Sequence, residues 1–156
     1  MDIVRWAPTA KNSQLVKWIV VDGRKKMREL AELMVGHMKT SDKFQRQVEA
    51  WNNGKDVLLR GAPALAIAYT DAEYAWGEVD CVIAMQTLDL CATAMRFGTC
   101  WAGYFISIAQ NAPEIKKWLG LQSNDKLWAA LMFGYPGLEA YHRVPYRKEI
   151  DLRWIQ

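Results

Sequence analysis

The sequence predicts an α+β fold, a small sheet flanked by helices, and three observations lead there. Segments with apolar residues at steps of three and four alternate with short apolar runs rich in branched side chains. Those runs are few and far apart along the chain, which favours a small sheet over a long strand–helix–strand array. The 156 residues, 51% hydrophobic and 24% charged, amount to one ordinary globular domain, enough to bury ~70% of the unfolded surface. Disordered, collagen-like and disulfide-stapled classes are excluded by the same composition. No repeat, linker or low-complexity stretch divides the chain, so residues 1–156 read as a single domain.

Asp2 to Trp6 read as the last turn of a helix whose earlier turns are absent, and Pro8 ends it, because the residue before a proline avoids helical geometry. The polar loop Thr9 to Gln14 follows. Leu15 to Val21, rich in valine, isoleucine and tryptophan, predicts a strand, and Asp22-Gly23 a turn. From Arg24 to Lys39 the apolar positions Met27, Leu30, Ala31, Met34, Val35 and Met38 predict an amphipathic helix with a basic outer face. Residues 42–53 form a weaker helical segment closed by Asn52-Asn53-Gly54. Pro63 to Tyr69 predicts a buried strand.

Gly77 to Phe97 is the longest helical candidate, with Gly98 placed as its C-cap. Its apolar and small residues, among them Val82, Met85, Leu88, Leu90, Cys91 and Met95, surround most of the axis. Such a helix is either central to a core or buried between subunits. Pro113 to Leu119 predicts a short helix with proline in its first turn. Lys126 to Gly134 predicts a buried strand, after which Gly134-Tyr135-Pro136-Gly137 breaks the chain into a basic, extended tail.

The formal charge is +3 overall, but +5 over residues 1–60, −4 over 61–110 and +2 over 111–156. Basic ends around an acidic middle suit an anionic small ligand gripped by the ends, and a patch of solvated lysines gives the same totals. The net charge is too low, and the basic residues too interleaved with acids, for a dedicated nucleic-acid binder. The longest uncharged run, Phe97 to Pro113, is broken by glycines, Gln110, Asn111 and Pro113, so no membrane span is expected. Cys81, Cys91 and Cys100 are odd in number and form no CxxC pair, pointing to a reducing, cytoplasmic location. Neither His37 nor His142 has a neighbour at a metal-ligand spacing, so no metal site is expected. Nucleophile elbows, Walker loops and dinucleotide fingerprints are all missing.

A cofactor accounts for that shortage of acid–base and nucleophilic residues, because it brings the chemistry itself. The protein then has to provide backbone donors, phosphate-binding cations and aromatic walls. Three segments have that composition: the polar loop after Pro8, the stretch Gly98-Thr99-Cys100-Trp101-Ala102-Gly103, and Arg143-Val144-Pro145-Tyr146-Arg147-Lys148. Each taken singly also reads as an ordinary turn, a helix end or a solvated tail.

In this order the segments resemble the nitroreductase family of FMN-dependent oxidoreductases. Arg5-Trp6-Ala7-Pro8-Thr9-Ala10-Lys11-Asn12-Ser13-Gln14 is similar to the family's R-x-A-P-S/T-x-x-N-x-Q loop. Gly61-Ala62-Pro63 before a strand, Phe97 to Phe105, and Gly134-Tyr135-Pro136 with Arg143-x-Pro145-x-Arg147 resemble its later landmarks. The branch most resembled often carries a ferredoxin domain ahead of the nitroreductase domain. The resemblance implies an α+β fold with a mixed or antiparallel central sheet, working as an intertwined homodimer with two FMN sites at the interface.

Carried over by position, Pro8, Thr9, Ala10, Lys11 and Asn12 border the flavin from the partner subunit, and Lys11 takes an electrostatic role. Cys100, Trp101, Ala102 and Gly103 lie along the ring, with a backbone N–H near Ala102 facing flavin N5. Arg147 and Lys148, with Arg143, hold the phosphate, and Arg60 lies near the pyrimidine edge. No side chain serves as catalyst. The implied reaction passes electrons from NAD(P)H or a ferredoxin-type donor through the flavin to a nitroaromatic, quinone or similar small acceptor.

Two departures from the family pattern matter. The N-terminal helix and Arg-x-Ser-x-Arg segment are missing, and Leu15 stands where a proline follows the first loop. Losing two charge-assisted phosphate contacts weakens FMN binding ~10²–10⁴-fold. The rival reading is therefore a truncated dimer of the same fold that holds FMN weakly or not at all and has no reductase activity. Enoate reductase, dehalogenase and flavin-fragmenting activities are further alternatives, for which the sequence shows no extra acid or lid.

Overall fold

A computed structural model of the chain describes residues 2–137 and 146–155. Its elements are β1 (Lys17–Asp22), α1 (Arg24–Met38), α2 (Gln45–Asn52), β2 (Ala64–Asp71), α3 (Gly77–Ala94), β3 (Gly98–Trp101), α4 (Gly103–Ala109), α5 (Pro113–Trp118) and β4 (Asp125–Gly134). Short 3₁₀ turns occupy Val4–Trp6, Ala10–Asn12 and Asp42–Phe44. The four strands form one sheet in the order β1-β2-β4-β3, with every pair antiparallel. The α+β expectation therefore holds, and the sheet is antiparallel throughout.

Helices cover both faces of the sheet, and β2 shows why they differ. Leu65 and Ile67 point to the face carrying α1, α4 and α5, where they join Leu30, Met34, Phe105 and Ile115 in the larger core. Ala68 points to the opposite face, joining Cys81 and Met85 of α3 with Ala129 and Leu131 of β4. Alternation of large and small residues thus makes one face thick and lets α3 approach the other closely. The six apolar positions predicted for α1 are all buried, each large side chain contributing ~1.5–3 kcal/mol relative to exposure.

The ladder between β2 and β4 slips by one residue at Ala68/Tyr69. Trp128 is the extra residue. It turns toward α3, donates from Nε1 to Thr70 Oγ1 at 2.8 Å and lies beneath the Lys126 ammonium. Gly77, the first residue of α3, fits against this pair only because it lacks a side chain. A Cβ there would fall 2.8 Å from the indole nitrogen and closer still to the Thr70 hydroxyl.

The C-terminal end of α3 departs from the sequence reading. The helix stops at Ala94, and Arg96, not Gly98, adopts the left-handed conformation (φ 63°). Phe97 N–H donates to Ala92 O and Arg96 N–H to Thr93 O, both at 2.9 Å, the pair of bonds that closes a helix with a left-handed residue. Gly98 instead opens β3 opposite Gly134. A glycine was the obvious cap candidate, yet the closing hydrogen bonds fix the left-handed position two residues earlier. Arg96→Gly is expected to stabilise the protein by ~0.5–1 kcal/mol, because glycine removes the left-handed penalty. Thermal unfolding of the variant beside the wild type measures it.

Asp125, at the start of β4, is buried against Lys17 of β1 (2.8 Å) and also accepts from Gln122 N–H (2.9 Å). Burial pushes its carboxyl up, but the bonds from Lys17 and Gln122 outweigh that and hold it below the ordinary range. Such a group stabilises the fold above its unfolded pKa of ~3.9 and loses that contribution as pH falls through the lower folded value. The melting temperature is expected to drop below about pH 4, and less steeply in Lys17→Met. Half-exposure of Lys17 keeps the effect modest through solvent screening.

Candidate functional site

The first predicted segment is a strained loop. Lys11, Asn12 and Gln14 all have φ near +55°, a region that costs a non-glycine residue ~1–3 kcal/mol and persists only when its surroundings impose it. Thr9 imposes part of it: its hydroxyl accepts from Gln14 N–H at 3.0 Å and its carbonyl from Asn12 N–H at 3.0 Å. The remainder comes from α3. Asp80 Oδ1 accepts from Ala10 N–H at 3.0 Å, and Oδ2 accepts from the Tyr74 hydroxyl at 2.7 Å. Ser13 Oγ lies 2.6 Å from the Tyr74 oxygen. The side chains of Pro8, Lys11 and Asn12 remain exposed, while Thr9 and Ala10 are half-buried.

Hydrogen bonding to Ser13 draws the Tyr74 phenol down, but partial burial and the Asp80 charge outweigh it and leave it above its usual value. Tyr74 therefore stays a proton donor at neutral pH. Burial and Asp80 also push the Cys81 thiol up to about 12, so Cys81 is an inert core residue and not a nucleophile. The sequence reading marks neither Asp80 nor Tyr74, and it includes Ser13 only as a position of the polar loop. The available signal was an aspartate among the small inward-facing residues Gly77, Cys81 and Ala84 of an otherwise apolar helix.

The second segment is an edge strand running into a helix. Gly98 to Trp101 form β3, hydrogen-bonded to β4 alone, and Gly103 begins α4. Ala102 is buried and its N–H donates to Ala130 O at 2.9 Å. Donors here for anything outside the fold include those of Gly103 and Tyr104, whose N–H groups have no intrahelical acceptor in a first turn. Cys100 is half-buried, and the Trp101 and Tyr104 rings are each 42% exposed. Gln47 of α2 donates to the Tyr104 hydroxyl at 3.0 Å, fixing one aromatic wall.

Arg60 is exposed in a loop that Asp56 folds by accepting the N–H groups of Leu58, Leu59 and Gly61 at 2.9–3.0 Å. Arg60 has φ 56° and Gly61 φ 66°. Arg147 and Lys148 are exposed in the extended segment 146–155, and Arg143 lies outside the described residues.

A single chain does not bring the 9–14 loop and β3 together. The loop is tied to Asp80 and β3 to Asp89, through a hydrogen bond from Thr99. Nine residue steps along α3 separate those anchors, ~13 Å along the axis. Across the sheet the separation is similar, since β1 and β3 lie on opposite edges, ~14 Å apart over three strand spacings. Lys17 stands level with Leu127 through Tyr69, whereas Cys100 faces Met132. The two predicted flavin segments thus occupy diagonal corners of one sheet. Beside the loop is an open depression of about 370 Å³ lined by Arg5, Thr9, Gln14, Trp18 and Ala84, among others. Of the predicted site residues, only Thr9 reaches it.

The outer face of α3 carries exposed apolar side chains beside the exposed Glu78, Gln86 and Thr93. Val79, Val82 and Leu90 are exposed there, with Met95 just beyond the helix, and Leu90 is 65% accessible. Among the described residues, no group of three or more histidine, cysteine or acidic side chains is placed to hold a metal. No helix among them is long and apolar enough to cross a membrane.

Solved structures with the same fold include a nitroreductase with bound FMN from Bacteroides fragilis (22% identical, covering 99% of this chain and 83% of that one, TM-score 0.84). A nitroreductase with bound FMN from Desulfitobacterium hafniense (23%, 97% and 82%, TM-score 0.75) is another. A third is the FMN-dependent nitroreductase NfnB of Mycobacterium smegmatis in complex with NADPH (21%, 87% and 75%, TM-score 0.67). No curated protein matches the chain by sequence. The model of the nitroreductase family, however, matches residues 1–135. Together with the antiparallel sheet and the strained proline-led loop at the head of β1, that match establishes that the chain belongs to the nitroreductase family.

Proposed function

We propose that this protein is an FMN-dependent oxidoreductase that works as a homodimer, each flavin site being completed by segments from both copies. The observation that carries the reading is the separation of the two flavin-loop segments to diagonal corners of one chain. A ligand that needs both is served only when the loop of one copy meets the β3–α4 corner of the other. Two further features support the pairing. Among the described residues, nothing covers the apolar side chains Val79, Val82 and Leu90 on the outer face of α3. The segment 149–154 alternates Glu, Ile, Asp, Leu, Arg, Trp, with its apolar residues exposed, the period of a strand suited to a second copy.

The residue types present fit FMN. Lys11, Arg147 and Lys148 offer charge for a phosphate, the first turn of α4 offers backbone donors, and Trp101 and Tyr104 offer flat apolar surface. In this reading Arg147 and Lys148 hold the phosphate, and Pro8 to Asn12 cover the ring from the partner. Cys100 to Gly103 run along its edge, with Arg60 on the pyrimidine side. Bound FMN supplies the redox chemistry, accepting electrons from a donor and passing them to an acceptor. The chain's own residues bind, orient and exclude water, and Lys11 together with the Gly103 and Tyr104 N–H groups stabilises negative charge developing nearby. NAD(P)H is the expected donor, consistent with the NADPH complex of the M. smegmatis protein, and a planar nitroaromatic or quinone the expected acceptor.

Titration of the purified protein with FMN, followed by quenching of flavin fluorescence and by sedimentation, tests this directly. One FMN bound per chain by a dimer, with NAD(P)H-dependent reduction of a quinone, is the expected result. A dimer that leaves flavin fluorescence unchanged would show a fold without the function, and the proposal would fail.

A further inference from the structure

Three buried polar or charged side chains occur among the described residues: Thr70, Asp80 and Asp125. Two have plain structural partners, Thr70 in Trp128 and Asp125 in Lys17. Asp80 differs. It is 1% exposed, on the inner face of α3, and among the described residues its oxygens are met by loop donors and not by a lysine or arginine. Burial without a countercharge is costly for a carboxylate, and an apolar residue at this inward position would avoid it. What the carboxylate secures is the loop: it accepts the Ala10 N–H directly and the Tyr74 hydroxyl, whose oxygen lies 2.6 Å from Ser13 Oγ. Since Tyr74 spends its proton on Asp80, the Ser13 hydroxyl donates to the Tyr74 oxygen, giving a chain Ser13→Tyr74→Asp80 that grips the loop at both ends of its 3₁₀ turn.

Between those grips lie Lys11 and Asn12, in the left-handed region, with Gln14 just beyond. A loop of such conformers relaxes unless something outside it holds it. Thr9 supplies bonds within the loop; Asp80 supplies the attachment to the rigid helix. We propose that Asp80 is a positioning residue of the flavin site, locking residues 9–14 to α3 so that Lys11 is presented at a fixed point to the flavin held by the other copy. This rests on the reading that the loop borders FMN, and it adds the residue through which the loop acts.

The test uses the full chain with Asp80→Asn, Asp80→Ala, Lys11→Met and the double variants. Without flavin, amide exchange at Ala10 is expected to quicken ~100-fold in Asp80→Ala, while Met85 and Ala92 in the same helix keep their protection. With flavin, the FMN Kd is expected to rise ~10–100-fold in Asp80→Ala, and Asp80→Asn, which keeps an acceptor for Ala10, to recover most of the loss. In the Lys11→Met background the same Asp80 substitution is expected to raise Kd by a clearly smaller factor, because the charged contact that the loop places is already gone. A full additive loss in that background would make Asp80 merely structural and overturn the inference. Unchanged Ala10 exchange would do the same. If Asp80→Ala does not fold, Tyr74→Phe carries the comparison, because it breaks the Ser13→Tyr74→Asp80 chain: a raised FMN Kd is expected, and a Kd unchanged from the wild type would overturn the inference. A wild type that binds no FMN overturns the functional reading itself, whereas a wild type and variants that bind it equally overturn only the role of Asp80.

Discussion

Val82→Glu combined with Leu90→Glu is expected to give a monomer whose affinity for FMN falls by ~100-fold or more. Both side chains lie exposed on the outer face of α3, so the substitutions cost a single folded chain little. Within a dimer packed on that face, two glutamates per chain would lose their hydration without gaining partners, at several kcal/mol each. Since the loop 9–14 and the β3–α4 corner of one chain are anchored ~13 Å apart along α3, a monomer retains only half of each site. Loss of several donor and charge contacts then accounts for the fall in affinity. Sedimentation velocity and flavin fluorescence read the two effects separately. A folded monomer that keeps wild-type FMN affinity would contradict a shared site.

The second large effect is expected from Phe105→Ala. Phe105 is fully buried, projecting from α4 into the core formed with α1, β2 and β4. Truncation leaves a cavity that rigid neighbours cannot fill, a loss of ~3–5 kcal/mol. Against a typical total of ~5–15 kcal/mol this is severe. The consequence reaches the site, because α4 begins at Gly103 and carries the backbone donors and the Tyr104 ring. Urea unfolding is expected to show a lower midpoint with an unchanged slope, and Phe105→Leu to recover most of the loss.

How far the sequence was legible varied with the range of the interaction involved. The apolar positions of α1 are spaced by helix geometry alone and all proved to be buried. The strands predicted from 15, 63 and 126 lie where β1, β2 and β4 lie, with ends shifted by one or two residues. In β3 and α4, between Gly98 and Ala109, no periodicity announced an element. Four residues are too few for an alternation, and β3 is a strand because the edge of β4 offers it hydrogen bonds. The C-cap was misplaced at Gly98 because composition favours glycine, while the bonds to Ala92 and Thr93 select Arg96.

The candidate site divides in the same way. Residue types and their order along the chain were sufficient to mark the proline-led loop, the Cys100 to Gly103 strip and the basic tail as one family's pattern. They gave no distance between them. That the loop hangs from Asp80 at one end of α3 while the strip is tied to Asp89 at the other is decided by strand order and helix length. Hydrophobic periodicity and turn chemistry are properties of neighbouring residues, which is why the α+β class, the α1 core face and the order of the candidate segments follow from the residues in line. Partnership of a buried carboxylate with a backbone amide 70 positions away, and the exposed apolar side chains along α3, arise only once the chain is packed. Both depend on which distant groups the sheet order brings within reach of one another and on which surfaces it leaves open.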